Sequence, residues 1–344
     1  MERREITASE RGGATRKDRF LGCLLGLAVG DALGMPVEGL TQDEIVARHG
    51  WLEDYQPRLG PDGEIDVPAG EFTGDTETAL CLLESLVSSN GYLDLELAGA
   101  RLLRLYHDDA RRFLGRTTLA ALAHAEETGE FQRGASGDWP PGVGAASRIA
   151  PVALMQALGH FNPEVFTREV LRAGLITHSA PEALNGALAV AYGIRLLVNG
   201  EIPPELLLEE VAAFIDEDEV ARALRRAARL ARDGGERARD LANLREIGGG
   251  PHVAEAVAAA FYAFRAHPED FRAAVLTALN GGGDADSIAA ITGALAGAHL
   301  GATAIPAELV DGLEGRMYLL MAAPGLYRAA QRRAGLFLKL IERE

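Results

Sequence analysis

Residues 278–288 read Ala-Leu-Asn-Gly-Gly-Gly-Asp-Ala-Asp-Ser-Ile, and an uncharged run of small and apolar residues follows from 289 to 301. The three consecutive glycines permit backbone conformations that a Cβ atom would forbid. Two carboxylates and a hydroxyl group then follow, at Asp284, Asp286 and Ser287. Because such oxygen ligands suit Mg²⁺, Mn²⁺ or Ca²⁺, the pattern predicts a loop that presents them to a hard cation at the start of a buried helix.

The same residues also fit a purely structural role. Asp and Ser are common helix N-cap residues, and glycines commonly form turns. This stretch alone does not choose between a metal site and a capped helix, so the rest of the chain has to decide.

The composition favours closely packed helices. Hydrophobic residues make up 48% of the 344 residues and aromatic residues only 6%, while Ala and Gly are abundant. Such a chain can bury a sizeable core in one large domain or two ordinary ones, and the scarcity of aromatics argues against aromatic-rich strands. The formal net charge of −16 argues against a nucleic-acid backbone or an anionic membrane as partner, because both are polyanions.

The two cysteines, Cys23 and Cys81, fall within apolar helical patterns. This placement favours small core residues over a disulfide framework or a zinc site. A reducing cytoplasm is therefore the simplest location for the protein.

The apolar run from Phe20 to Gly30 predicts a mostly buried helix over residues 16–33. Its glycines recur at every fourth position, at Gly22, Gly26 and Gly30, so one face is bare and another backbone can approach it closely. Basic residues precede the run and imitate a secretion signal, but no small-residue cleavage site closes it.

A second stretch, residues 287–305, is uncharged over a length that raises the question of a membrane span. It consists mostly of Ala, Gly, Thr and Ser, and is therefore weakly hydrophobic. We expect a small-residue helix packed inside a helical bundle, and no membrane partner.

The chain shows helical periodicity, with no convincing strand-period segment and no repeat. Residues 1–16 are polar and unpatterned, which predicts a disordered tail, and residues 17–344 are predicted to form one compact all-α domain. Within it we expect a long ordered loop over residues 50–72 and a charged, solvated helical pair over residues 205–232.

Three further polar stretches lead into predicted helices. They are residues 71–78 (Glu-Phe-Thr-Gly-Asp-Thr-Glu-Thr), 140–148 (Pro-Pro-Gly-Val-Gly-Ala-Ala-Ser-Arg) and 176–181 (Ile-Thr-His-Ser-Ala-Pro). Polar oxygens in the first turn of a helix can cap it or hold an ion.

Four of these stretches, in this order, resemble the ADP-ribosylglycohydrolase family, which includes the dinitrogenase reductase-activating glycohydrolase and the ADP-ribosyl-acceptor hydrolases. They are Gly22–Gly26 with Gly30–Glu38, Phe72–Thr76, Gly142–Arg148 with Thr177–His178, and Gly282–Ser287 with Gly293–Ala298. The resemblance covers about residues 17–305. It implies an all-α fold around two Mg²⁺ or Mn²⁺ ions and cleavage of the glycosidic bond at the anomeric carbon of ADP-ribose.

The resemblance also implies roles for individual residues. The implied metal ligands are Thr73, Asp75, Asp284, Asp286 and Ser287. The implied catalytic residues are Glu38, Asp75 and Asp284, with Glu38 as general acid/base or ligand. The implied substrate-binding residues are Gly142, Gly144, Ser147 and His178.

Glu38 could instead be a surface turn residue, and His178 could simply cap a helix. Asp31 is expected to brace the loop behind the site, and Arg148 could hold a phosphate or pair with a structural carboxylate.

The sequence departs from the family pattern in three places. Gly74 stands where the family usually has the first Asp of Thr-Asp-Asp-Thr, which removes one carboxylate and makes a single ion possible. Glu77, one helical turn after Thr73, is a candidate substitute ligand. Val143 replaces the Asn of Gly-Asn-Gly, and Ser287 stands for the usual Thr or Asn.

Three functions follow from these features. The first is a metal-dependent hydrolase, expected to be monomeric, that releases ADP-ribose from a protein, a modified nucleic acid or a small molecule. The second is a catalytically impaired member that binds ADP-ribose or has a structural role, with Gly74 as the lesion. The third is a hydrolase of a different glycoside or phosphorylated metabolite.

Overall fold

The computed structural model describes residues 14–108 and 113–341, with side chains through Gly335. Helices dominate these residues, as the sequence predicted. The helices are α1 (Arg16–Gly34), α2 (Gln42–His49), α3 (Gly74–Ser88), α4 (Leu95–His107), α5 (Arg116–Thr128), α6 (Gly144–Ser147), α7 (Ala150–Met155), α8 (Pro163–Gly174), α9 (Pro181–Asn199), α10 (Leu207–Phe214), α11 (Glu219–Leu230), α12 (Arg237–Ile247), α13 (Val253–Ala266), α14 (Phe271–Asn280), α15 (Ala285–Leu300), α16 (Ala307–Gly312) and α17 (Arg316–Ile341). The tail predicted over residues 1–16 lies outside the described residues up to position 13.

One local prediction was wrong. The segment expected to be an ordered loop contains a small antiparallel hairpin, with β1 at Arg58–Leu59 and β2 at Ile65–Val67. The strands are two and three residues long, which is too short for an alternating hydrophobic pattern to reveal them.

The core of the fold is the close packing of α1 against α15. A Cβ atom at Gly26 would lie 2.1 Å from the carbonyl oxygen of Gly293, and one at Gly30 would lie 2.0 Å from that of Ala289. Reciprocally, a Cβ at Gly297 would lie 1.9 Å from the carbonyl oxygen of Gly22. The two backbones therefore touch along the glycine face that the sequence predicted, and this contact fixes where the loop before α15 emerges.

Helix α1 is an internal helix of this fold. The segment Arg16–Val37 is long and apolar enough to cross a membrane by length and composition, but 94% of its most apolar window is buried inside the protein. Cys23 and Cys81 are both free and buried, as expected for core residues.

The charged helical pair is α10 and α11, and its polar side is solvated as predicted. Helix α11 buries Val220, Ala221 and Leu224. Its arginines lie on the outside, where Arg226 pairs with Glu246 across exposed surface. Exposed pairs of this kind contribute little to stability.

Candidate active site

The glycine loop before α15 is held against the turn that follows α1. The backbone N–H of Gly39 donates to the carbonyl oxygen of Gly283 at 2.7 Å, and the N–H of Gly283 donates to that of Leu40 at 2.7 Å. Gly282 and Gly283 have φ of +78° and +79°, a region that residues with a Cβ rarely adopt. This geometry brings Glu38 beside Asp284.

Three carboxylates gather at this point. Glu38, Asp284 and Asp286 each offer an oxygen, and these oxygens all lie within 4.8 Å of one another. Asp284 is the N-cap residue of α15, yet its side chain makes no capping hydrogen bond. The structural alternative of an ordinary Asp cap therefore does not account for it.

The electrostatics of this cluster fit a cation. Burial, together with the charges of Asp75 and Glu38, raises the pKa of Asp284 to about 7. Burial also raises the pKa of Asp286, with Glu38 and Asp284 adding to the effect. Among the described residues, no donor reaches Oδ1 of Asp286, although the residue is only 5% exposed. A bound divalent ion would satisfy that oxygen and cancel the repulsion between the carboxylates.

The first turn of α3 is anchored from behind by Asp31. Its carboxylate accepts hydrogen bonds from the backbone N–H of Thr73 and Thr76, both at 2.9 Å, and from the Thr76 hydroxyl at 2.6 Å. The Thr73 hydroxyl, held in this way, donates to Oδ2 of Asp286 at 3.3 Å. Asp31 thus braces the loop, as the sequence predicted.

Asp75 bridges two hydroxyl groups. Ser287 donates to its Oδ2 at 2.6 Å, and Ser147 donates to its Oδ1. Burial raises the pKa of Asp75, while these two hydrogen bonds and the Arg148 charge oppose the rise. The side chain therefore connects α3, α6 and α15 beside the carboxylate cluster.

A histidine forms part of the opposite wall. The ring of His178 faces the glycines, with its Nε2 atom 3.5 Å from the position of a Cβ at Gly144 and 3.9 Å from that at Gly142. Its Nδ1 atom lies 2.7 Å from the hydroxyl oxygen of Thr177, which also accepts a hydrogen bond from Arg148. Burial, helped by the Arg148 charge, lowers the pKa of His178 to about 3.

These contacts favour one tautomer of the ring. A threonine hydroxyl that accepts from Arg148 has its own proton available for Nδ1 of His178. In the tautomer that these contacts favour, the ring proton is on Nε2, the atom beside the two glycines. His178 is a neutral donor at the cavity wall and does not cap a helix, because the N-cap residue of α9 is Ala180. Arg148 is almost fully buried, and its other guanidinium contact is the carbonyl oxygen of Gly144.

All the predicted site residues except Ser147 meet at one cavity of about 430 Å³. Those that line it are Glu38, Thr73, Asp75, Gly142, Gly144, His178, Asp284, Asp286 and Ser287. Ser147 does not line the cavity and reaches it only through Asp75. The side chain of Val143, where the family has Asn, is buried at 5% exposure.

The Glu77 substitute-ligand hypothesis was wrong. Glu77 does not line the cavity. Burial raises its pKa, and the charges of Glu314 and Asp108 add to the effect, which places it among other acidic groups. Neither of these acidic neighbours lines the cavity.

Sequence reasoning missed the outer part of the cavity. Trp139 donates from its indole N–H to the Thr117 hydroxyl at 2.9 Å, and Arg116 lies over its ring at 5.8 Å. Phe113 and Leu114 complete this wall. Trp139 is one of two tryptophans and stands just before the Gly142–Arg148 stretch, which was the available signal. The segment 113–118 carries no motif.

Comparison with known proteins shows the family of the chain. A family model described as ADP-ribosylglycohydrolase matches residues 13–335. The chain belongs to the ADP-ribosylglycohydrolase family. An uncharacterized protein of Archaeoglobus fulgidus is 35% identical, over 92% of this chain and 98% of the relative.

One further relative and one solved structure are also similar to this chain. The ADP-ribosylarginine hydrolase Tri1 of Pseudomonas putida is 30% identical, over 91% of this chain and 79% of its own. A solved structure titled ADP-ribosylglycohydrolase-related protein complex superposes with a TM-score of 0.73 at 33% identity, covering 92% of this chain and 99% of that one. The all-α fold of the family thus extends over nearly the whole chain.

Proposed function

We propose that this member of the ADP-ribosylglycohydrolase family is a divalent-metal-dependent hydrolase that cleaves the glycosidic bond between ADP-ribose and an acceptor. The observation that carries this proposal is the convergence of Glu38, Asp284 and Asp286 in a cavity walled by His178. The cavity volume of about 430 Å³ is within the range of small-molecule sites.

The carboxylate cluster and the Thr73 and Ser287 hydroxyls would hold Mg²⁺ or Mn²⁺, since both ions take hard oxygen ligands. When bound, such an ion orients ribose hydroxyls and lowers the pKa of a water molecule.

The protein's own groups have separable tasks in this proposal. Glu38 is the proton carrier, because its side chain is 43% exposed and so connects the carboxylate cluster with solvent. A carboxylate placed in this way can accept or deliver a proton through an oxygen that does not contact the ion. Asp75 and Asp284 supply negative charge beside the sugar, where positive charge develops as the bond breaks.

The other wall supplies recognition. The Nε2–H of neutral His178 and the backbone at Gly142 and Gly144 lie where an anionic or hydroxyl oxygen of the ligand could accept hydrogen bonds. Arg116 and Trp139 at the outer end offer a cation and an aromatic face. We further propose a cytoplasmic monomer that acts on ADP-ribosylated proteins, modified nucleic acids or small ADP-ribosyl compounds.

The test is turnover with defined substrates. ADP-ribosyl-arginine, ADP-ribosyl-serine, O-acetyl-ADP-ribose and unrelated nucleosides are incubated with the metal-loaded protein, and free sugar product is measured. We expect release of ADP-ribose from at least one ADP-ribosyl compound, and loss of about 10²–10⁴-fold in rate with Glu38→Gln. The exposed Glu96→Gln substitution on α4 is the matched control.

A second function, binding without turnover, is favoured by two observations. With Gly74, the site has one carboxylate fewer than the family pattern. The side chain of Val143, unlike that of Asn, has no amide group to present to the cavity. Tight binding of ADP-ribose with no turnover of any ADP-ribosyl compound would contradict the hydrolase proposal and support this alternative. Turnover of an unrelated nucleoside alone would instead support a different glycosidase.

A further inference from the structure

The position of Gly74 is closed to any larger side chain. Gly74 is the first residue of α3, and a Cβ atom there would lie 2.5 Å from the carbonyl oxygen and 3.1 Å from the carbonyl carbon of Phe113. Leu114 would lie a further few tenths of an ångström away, with Cδ2 at 3.4 Å. Backbone atoms cannot turn aside as a flexible side chain can. The missing carboxylate is therefore not a gap in the site, because the segment at 113–114 occupies its place.

The carboxylate of Asp75 is already hydrogen-bonded within the protein. Both of its oxygens accept hydrogen bonds, one from Ser147 and one from Ser287. It is also outside the set of three carboxylates whose oxygens lie within 4.8 Å of one another. On the α3 side of the cavity, this leaves the Thr73 hydroxyl and a hydrogen-bonded carboxylate as candidate ligands.

The side formed by Glu38, Asp284 and Asp286 is different. It has three carboxylates within reach of one ion, and Oδ1 of the buried Asp286 has no donor among the described residues. Mg²⁺ requires six oxygen ligands in near-octahedral order, usually with water completing the set. Three protein carboxylates plus water meet that requirement for one ion, whereas the α3 side offers only the Thr73 hydroxyl and one carboxylate whose two oxygens already accept hydrogen bonds.

We propose that the site binds one divalent cation per chain through Glu38, Asp284 and Asp286, and that Asp75 positions Ser287 by hydrogen bonding without holding a second ion. This inference rests on the metal dependence in the proposed function. It differs from the ion pair that the family resemblance implies, and it gives Gly74 and Phe113 a defined role as the elements that close the second position.

The experiment is a metal count that needs no substrate. Chelator-treated protein is titrated with Mn²⁺ by calorimetry, the bound metal is quantified by elemental analysis, and its electron paramagnetic resonance spectrum is recorded. We expect one Mn²⁺ per chain at saturation and the six-line spectrum of an isolated ion. Two ions per chain, a spectrum of exchange-coupled ions, or no binding would each overturn the inference.

Substitutions locate the ion. Asp286→Asn and Asp284→Asn should each weaken Mn²⁺ binding by more than about 100-fold, while Asp75→Asn should keep a stoichiometry of one, with at most the about 10–100-fold loss typical of residues that orient a ligand. Circular dichroism verifies that each variant is folded. If a variant is unfolded, the number of Mn²⁺ ions bound per wild-type chain still tests the inference. Retention of the ion in both Asp284→Asn and Asp286→Asn would contradict the assignment.

The result is separable from that of the turnover assay. Two ions together with ADP-ribose release would overturn this inference and support the proposed function. One ion without any turnover would support this inference and contradict the proposed function.

Discussion

The carboxylate of Asp31 accepts a 2.9 Å hydrogen bond from the backbone N–H of Thr73, which ties the central helix α1 to the first turn of α3. The same carboxylate serves two donors of Thr76. An Asn side chain at position 31 has one acceptor oxygen and an NH₂ group that cannot accept. At least one buried donor would therefore lose its partner.

We accordingly expect Asp31→Asn to lower the free energy of unfolding by about 1–3 kcal/mol and to weaken Mn²⁺ binding, because Thr73 would no longer be held against Asp286. Urea unfolding and calorimetric titration measure the two effects. The exposed Asp62→Asn substitution in the turn between β1 and β2 is the control. Equal stability and metal affinity in both variants would show that Asp31 does not organise the site.

The contact between α1 and α15 predicts a large effect from a single methyl group. Gly26→Ala places its Cβ against the backbone carbonyl of Gly293, so the helices have to separate. We expect a loss of about 1–3 kcal/mol or more, read from the midpoint of chemical unfolding. Gly325→Ala within α17 meets only Val87 at 3.7 Å, and should be neutral or stabilising by up to about 1 kcal/mol. Similar midpoints for the two variants would contradict the packing.

The hydrogen-bond chain from Arg148 through Thr177 fixes the state of His178. In ¹⁵N-edited spectra we expect a neutral ring with its proton on Nε2 between pH 5 and 8, since its pKa is lowered to about 3. Thr177→Val removes the hydroxyl beside Nδ1 and leaves one guanidinium nitrogen of Arg148 without its acceptor, so the tautomers should mix and stability should fall by about 1–3 kcal/mol. The exposed Thr128→Val is the control. A cationic ring in wild-type protein at pH 6 would exclude this arrangement.

A second polar cluster, away from the cavity, predicts acid sensitivity. Burial alone would raise the pKa of Asp240, but hydrogen bonds from His267, Tyr262 and the Gly235 N–H bring it below the ordinary value of 3.8. The pKa of Asp240 is lower in the folded protein than in the unfolded protein. The ionised carboxylate therefore stabilises the folded protein above pH 3.8, and this contribution disappears as the pH falls through the pKa of the folded state.

Asp240→Asn should therefore cost about 1–3 kcal/mol at pH 7, and its difference from wild type should shrink below pH 4. Thermal unfolding across pH 3–7 tests this, with the exposed Asp233→Asn as control. A difference that stays constant down to pH 3 would mean that the carboxylate charge is not the source of the effect.

Much of the fold was predictable because its signals are local. The fourfold spacing of Gly22, Gly26 and Gly30 identifies a bare helical face whatever its partner, and polar residues in front of apolar runs identify helix starts. Residues that are far apart in the sequence line one cavity. Asp75 and Ser287, for example, are hydrogen-bonded although 212 positions separate them. The hairpin at residues 58–67 was missed because two-residue and three-residue strands have no period to detect.

The sequence by itself determined the helical class, the α1 face that another backbone contacts, and the set of oxygen-bearing side chains around the site. Only the tertiary structure decided which of them share an ion-sized space, that Glu77 lies outside the cavity lining, and that Phe113 closes the position beside Gly74. The physical reason is that residue type and spacing define what one segment can offer. Which of these side chains come together in the folded protein depends on how segments far apart in the chain pack against one another.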